Sequence, residues 1–330
     1  MSSFFYVFLT RVEIIRMLSE EEIILAITNG ENQAASVVDF RNQELKKRSL
    51  AINQKSPQIA TLDIQKIDIE LAEALGPESR DLLVAEGDSW FDYPFHDILR
   101  FLEDEHGYDI ESVAQKGDRV EDMAYSGGQI EEFTRRIEKI LRKGIVPRAI
   151  LLSGGGNDVA GKEFATLLNH KSSAIPGLNN AVVDGIINER IRLSYLTIIS
   201  KVTAICKLRI GHPVPIILHG YDYPIPDGRG FLGGWWFLPG PWFEPGFREK
   251  GYAQIQERID IVKNLINIFN SMLQEVSSRP EFNHVRYLDL RGTLSTSDNY
   301  RDDWANELHP TSDGFKRVTD KFAQVLDTFL

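Results

Sequence analysis

Cysteine is almost absent from this chain. Cys206 is the only one in 330 residues, which excludes an intramolecular disulfide and a cysteine-based zinc site. Its setting, Val202-Thr203-Ala204-Ile205-Cys206, is an apolar helical stretch, so it reads as a buried structural thiol. Basic residues are in the minority. The 37 Lys and Arg against 48 Asp and Glu leave a formal net charge of -11, and no run of basic residues offsets it, so non-specific attraction to nucleic acid is not expected. Long apolar runs are missing as well: nothing approaches the roughly 20 residues that a membrane span needs. The apolar start, Met1 to Arg11, is short, has no basic segment before it and no small-residue cleavage site soon after. The expectation is a cytoplasmic protein with no transmembrane segment. No Gly-Lys-Ser/Thr run occurs, and Gly154-Gly155-Gly156-Asn157 lacks the spacing of a dinucleotide loop. There is no internal repeat and no low-complexity tract.

What is present divides at about residue 80. In the expected organisation, residues 1–80 are a helical N-terminal extension and residues 81–330 a catalytic domain. In the first part, Ser19-Glu20-Glu21-Glu22 is a helix-start signal, a capping serine followed by acids at the positive end of the helix dipole. Residues 37–50 are charged and amphipathic, and residues 62–75 carry a further helical pattern that Gly76-Pro77 ends. No catalytic pattern occurs there. A helical adaptor, an oligomer or partner contact, and simple packing onto the rest of the chain all remain open.

From residue 81 onward, strand-like and helix-like stretches alternate. Strands are expected at 81–85, 110–114, 148–153, 214–218 and 285–290. Helices are expected at 130–142, 181–208, 252–276 and 312–330. Such alternation implies a parallel sheet covered on both faces. The expected fold class is α/β, a flavodoxin-like three-layer αβα sandwich around a central parallel sheet of about five strands, plus the N-terminal helical extension. Ligands of such sheets bind beyond the carboxyl ends of the strands. Ser89, Gly117 and Asn157 each follow an expected strand and so fall at that one edge.

These residue types suit acyl or ester chemistry. A serine hydroxyl is a poor nucleophile until a neighbouring base takes its proton. His309, in Leu308-His309-Pro310 before the last helix, is the natural base, because imidazole titrates near neutral pH. Attack on an ester puts negative charge on the carbonyl oxygen, which neutral donors aimed at it would stabilise. Glycine lets backbone approach a ligand, and an asparagine amide donates without carrying charge. His219, at the end of the fourth expected strand, is read either as lining the cleft or as structural.

Four blocks in order resemble the SGNH hydrolases, also called the GDSL esterase/lipase family. They are Gly87-Asp88-Ser89, Gly117 in Ala114-Gln115-Lys116-Gly117-Asp118, Gly155-Gly156-Asn157-Asp158, and His309-Pro310. The resemblance covers roughly residues 81–330. It implies Ser89 as nucleophile and His309 as base. It also implies an oxyanion hole made by the backbone N–H groups of Ser89 and Gly117 with the side-chain amide of Asn157. Asp88 would support the turn. No metal or cofactor is implied. One position departs from the family pattern: where the family has an aspartate to orient the histidine, this chain has Asn306. Three readings stay open. Asp303 or Asp302, a turn upstream, takes the role; the enzyme is a Ser-His dyad with Asn306 or a carbonyl holding the ring; or activity is low. Asp303 or a dyad is the favoured expectation.

Residues 221–251 form a long stretch rich in glycine and proline that holds Trp235, Trp236 and Trp242. A long loop in a compact domain is usually functional, so these three tryptophans are expected to line the substrate site as a lid or acyl-chain wall. Packing over the core and sugar stacking are the other readings. The leading expectation is a serine esterase or lipase-type hydrolase acting through an acyl-enzyme on a small-molecule or lipid-like ester. The alternatives are a carbohydrate O-deacetylase and a binding or scaffold protein with an impaired site.

Overall fold

The computed structural model describes residues 19–55, 81–126, 128–233 and 238–329. Five parallel strands form the central sheet: β1 (Leu82–Glu86), β2 (Asp109–Ser112), β3 (Ala149–Leu152), β4 (Ile216–His219) and β5 (Val285–Leu288), in the order β2-β1-β3-β4-β5. The three inner strands are short, and every residue of β3 and β4 is buried, as expected of a sheet covered on both faces. The expected strands are all present, with ends shifted by a residue or two, which is ordinary for strand termini.

The strand order dictates where the helices lie. Right-handed crossovers place the helix leaving β1 toward β2 on one face and those leaving β2, β3 and β4 in the opposite direction on the other. The first is α2 (Ile98–Asp104). The others include α4 (Gln129–Arg142), α6 (Arg192–Ile210) and α8 (Ile255–Ser277). Short helices α3 (Val120–Tyr125), α5 (Gly156–Val159) and α7 (Glu244–Glu249) lie between them, and α6 continues from helical Asn180–Asp184 through a π-helical Gly185–Ile191. The closing helix α9 (Ser312–Leu326) packs against α2, while α6 packs against α4 and α8. The strand order reverses direction between β1 and β3. That leaves a crevice at their carboxyl ends, where ligands of open α/β sheets bind.

Helix α1 (Glu20–Lys55) is one continuous helix and begins at the expected cap. Ser19 Oγ accepts from the Glu22 N–H at 3.2 Å and Glu22 returns the bond to the Ser19 N–H at 2.9 Å, a reciprocal capping box. Ile23, Ala26, Ile27, Ala34 and Val38 are buried in the same apolar cluster as the sheet. Gly30 sits where α1 crosses α6: a Cβ there would stand 2.8 Å from Ser200 Cβ and 2.9 Å from the Thr197 carbonyl oxygen. Ala26, Gly30 and Ala34 repeat every fourth residue, so small side chains line the face that meets α6. The second helical pattern expected at 62–75 lies outside the described residues. Among the described residues, no helix is long and apolar enough to cross a membrane.

Candidate active site

Ser89 follows β1 on a tight turn. The Asp88 carbonyl accepts from the N–H groups of Phe91 at 3.0 Å and Asp92 at 3.1 Å. Its buried carboxylate holds the same turn from below, accepting from the Trp90 N–H at 3.0 Å, the Ser153 hydroxyl at 2.8 Å and the Tyr221 hydroxyl. Asp88 is thereby fully engaged and supports Ser89 rather than reaching outward. His309 comes to Ser89 from the opposite end of the sequence, on the segment between β5 and α9, and its Nε2 lies 2.7 Å from Ser89 Oγ.

The proton position on this imidazole follows from its other partner. Asn306 Oδ1 lies 3.1 Å from His309 Nδ1 and also accepts the backbone N–H groups of Leu308 and His309, each at 2.9 Å. An atom that takes two N–H bonds is the amide oxygen, so Nδ1 carries the hydrogen and Nε2 is the free base facing Ser89. Asn306 Nδ2 in turn donates to the Tyr93 hydroxyl at 3.1 Å. Tyr93 stacks on the imidazole, with ring centroids 4.3 Å apart. His309 is only 5% exposed, and burial pushes its pKa down to about 3. Among the described residues no carboxylate is paired with the ring.

The expectation that Asp303 orients His309 is corrected here. Asp303 is 1% exposed, but its carboxylate accepts from the Ser295 N–H at 2.7 Å and pairs with Arg317 at 2.9 Å. It anchors the 295–303 loop to α9. Asn306 is closer to the ring because it heads the short turn that ends at His309, and its oxygen caps that turn as it meets Nδ1. Asp302 lies in a short 3₁₀ turn (Tyr300–Asp302), and its carbonyl accepts from the Thr311 hydroxyl at 2.7 Å.

Ser89, Gly117 and Asn157 border one cleft. The loop bearing Gly117 is stitched to the Ser89 turn by Gln115 N–H to the Gly87 carbonyl at 2.9 Å and by Lys116 N–H to Asp92 at 2.9 Å. Gly117 has φ +94°, a conformation that L side chains rarely adopt. Among the described residues, the backbone N–H groups of Ser89 and Gly117 make no hydrogen bond. Asn157, on α5, donates one amide hydrogen to the Asp118 carbonyl at 2.9 Å. That bond fixes the amide and leaves its second N–H free for a ligand. The adjacent Asp158 accepts from Val120 N–H at 2.9 Å at the start of α3, and burial raises its pKa to about 6.

Of the three loop tryptophans, Trp235 and Trp236 lie outside the described residues. Trp242 borders the cleft beside Ser89 together with Tyr93 and Phe231, its ring edge-on to His309 at 5.3 Å between centroids. His219 does not reach the cleft. It is buried among Trp90, Phe91, Tyr221 and Phe322, its Nδ1 donates to the Gly220 carbonyl at 2.8 Å, and burial depresses its pKa.

Sequence reasoning passed over three neighbours of the site. Tyr93 has no signal beyond its place four residues after Ser89. Glu307, fully buried, accepts from the N–H groups of Gly228 at 2.9 Å and of Trp242 and Phe243, both at 2.7 Å. It thereby ties the aromatic stretch to the segment carrying His309. Glu86, the last residue of β1, accepts from Gly87 N–H at 3.0 Å and Gln129 Nε2 at 3.2 Å, and Gln129 also donates to Asp118. Burial first, and then Asp118, raises the Glu86 pKa to about 8.

No protein-family model matches the sequence, and none of the curated proteins matches it. Solved structures do show similarity. An acetylxylan esterase of Geobacillus stearothermophilus, in a catalytic mutant, is 14% identical with a TM-score of 0.42, over 75% of this chain and 94% of that one. An aryl esterase of M. smegmatis is 13% identical with a TM-score of 0.41, over 76% and 100%. A candidate SGNH hydrolase of Slackia heliotrinireducens is 8% identical with a TM-score of 0.45, over 74% and 97%.

Proposed function

We propose that this protein is a serine ester hydrolase. The observation that carries the reading is the Ser89 Oγ to His309 Nε2 contact at 2.7 Å, with Nδ1 held as donor by Asn306 at 3.1 Å. The free Nε2 takes the Ser89 proton as Oγ attacks the ester carbonyl. Negative charge develops on the carbonyl oxygen, within reach of the Ser89 and Gly117 N–H groups and the Asn157 amide, which form the oxyanion hole. The bond to the alcohol oxygen then breaks, and that oxygen leaves with the proton from Nε2. Water repeats the cycle on the acyl-enzyme and releases the acid. His309 must be neutral at the start of each attack, and its burial keeps the resting ring neutral at physiological pH.

The order nucleophile, base, orienting group is Ser89, His309, Asn306. An asparagine supplies direction but no charge, so the imidazolium that forms is less stabilised than beside an aspartate. The site keeps the tautomer and loses part of the rate. A binding protein with an impaired site is disfavoured because His309 Nε2 lies 2.7 Å from Ser89 Oγ at a cleft that Gly117 and Asn157 also border. The test is labelling by a fluorophosphonate with hydrolysis of p-nitrophenyl acetate. Ser89 becomes labelled and Ser89→Ala abolishes both signals with the fold intact. Turnover persisting in that variant would remove the nucleophile assignment.

A further inference from the structure

Two spaces of different size and character meet at Ser89. One is a slot of about 30 Å³ that runs inward beneath the turn, walled by Tyr221, Phe243, Leu265, Ile266 and Phe269. All five are buried. Two carboxylates also border it, but both are occupied. Asp88 holds Ser153, Trp90 and Tyr221, and Asp222 accepts from the N–H groups of Tyr223, Gly292 and Leu294. The slot is therefore apolar in effect. The other space is a cleft of about 370 Å³ bordered by Tyr93, Pro94, Phe231, Leu238 and Trp242, with Lys116 at its exposed rim. Its walls are half-exposed, and among the described residues it opens to solvent. Ser89, Asn157 and His309 border both spaces.

An ester attacked by Ser89 must place its acyl side in one space and its alcohol side in the other. Size alone leaves either assignment open; the order of events decides. The alcohol departs before water enters. From the cleft it leaves directly, whereas from the buried slot it would have to pass the acyl group just bonded to Ser89. The acyl side therefore belongs in the slot. One water needs about 10–15 Å³ of such space, so the slot admits a methyl or ethyl group and little more. Its walls belong to a close-packed interior and do not yield freely. The cleft offers aromatic and aliphatic surface, and among the described residues Lys116 is its one charged side chain besides the proposed base, which suits an apolar alcohol better than a sugar.

We propose that the preferred substrates are acetyl or propionyl esters of bulky apolar alcohols, acyl group in the slot and alcohol in the cleft. This rests on the hydrolase reading above and specifies its substrate class.

The deciding comparison uses two isomeric esters with leaving alkoxides of similar basicity, octyl acetate and methyl nonanoate. A parallel series of p-nitrophenyl acetate, butyrate and octanoate keeps the leaving group constant. Octyl acetate is expected to exceed methyl nonanoate in kcat/KM by at least about tenfold, and the p-nitrophenyl series to fall by at least that factor from acetate to octanoate. Leu265→Ala and the milder Ile266→Val should raise the butyrate-to-acetate ratio by widening the slot. Methyl nonanoate turned over as well as octyl acetate, or p-nitrophenyl octanoate as well as the acetate, overturns the acyl assignment and leaves the hydrolase reading standing. No turnover of any ester together with an unlabelled Ser89 overturns the hydrolase reading, and this proposal with it.

Discussion

In the proposed mechanism, Asn306 sets how well the imidazolium is stabilised. Its Oδ1 already accepts three N–H groups, one of them from the His309 ring, and an aspartate oxygen can accept the same three. The Tyr93 hydroxyl, which now accepts from Nδ2, can reverse and donate. Asn306→Asp is thus expected to keep the geometry and add a charge. The carboxylate favours the imidazolium, so the His309 pKa rises from about 3. Turnover of p-nitrophenyl acetate at pH 8 should increase by roughly ten- to a hundredfold, less than the about 10⁴ that an Asp-to-Asn change costs in a serine triad, because that loss comes with a wrong tautomer that Asn306 avoids here. The acid limb of the pH–rate profile should move to higher pH, since less of the base is neutral in mild acid. An unmoved acid limb would mean that the ring does not feel position 306. Asp303→Ala makes the contrast. It leaves the Ser295 N–H without its partner and should cost about 1–3 kcal/mol of stability, read as a lower denaturation midpoint, with kcat nearly unchanged. Asn157→Ala should lower kcat by about 10² to 10³ with less effect on KM; a change confined to KM would make Asn157 a ground-state contact.

At the scale of elements, the decisive contact outside the sheet is the crossing of α1 over α6. Gly30 allows it, since any Cβ would meet Ser200 and the Thr197 carbonyl at under 3 Å. Lys201, buried on α6, reaches Gln33 of α1 and Glu131 of α4, each at 3.3 Å, and Arg209 reaches Asn42 at 3.0 Å. Gly30→Leu forces the helices apart and should destabilise the protein by about 1–3 kcal/mol. Chemical denaturation measures this, with hydrolysis per folded molecule as control. That control should not change, because Ser89 sits at the carboxyl edge of the sheet and not under α1. A variant as stable as the parent would mean that α1 contributes no packing at Gly30.

Across the whole molecule, buried titratable groups pull stability in opposite directions with pH. His284 is pushed down to about 4, first by burial and then by Lys207 and Arg286. Its unfolded form takes up a proton near pH 6.5, so its stabilising contribution is present above that value and is lost as pH falls toward 4. Glu86 is the reverse case. It stays protonated in the fold up to about pH 8 and ionises near 4.5 when unfolded. Its contribution is present below 4.5 and is lost as pH rises through 8. Between about pH 6.5 and 8 Glu86 acts without opposition from His284, and one proton across that window amounts to about 2 kcal/mol. Glu86→Gln keeps the shape and removes the charge. It should erase that slope and be the more stable form at pH 8.5, as denaturation midpoints at pH 6.5 and 8.5 would show. Parallel pH profiles for both proteins would mean that Glu86 does not titrate in that window.

The strands were legible because a parallel sheet buried on both faces needs unbroken apolar runs such as Ala149–Leu152, and because each run ends in a polar turn. The Ser19 cap was legible because capping is local. Ser89, Gly117 and Asn157 stood out because the turns after the strands of an α/β sheet share one edge, and His309 because imidazole titrates near neutral pH and the four blocks together resemble the SGNH hydrolases. What holds His309 was legible only as alternatives, Asp303 or a dyad with Asn306 or a carbonyl at the ring. Asp303 and Asn306 are three residues apart, and a carboxylate is the better partner on chemistry alone; the choice fell to Asn306 because Asp303 is taken by Arg317 and Ser295 on neighbouring segments. Glu307, Tyr93 and the pairing of Glu86 with Gln129 were invisible for the same reason, since their partners lie tens to hundreds of residues away. The sequence by itself determined the elements and the chemistry at their ends, which depend on neighbours along the chain. Only the tertiary structure decided which group orients the base and how much room lies on each side of Ser89, because both depend on side chains that meet only when the sheet and helices are packed.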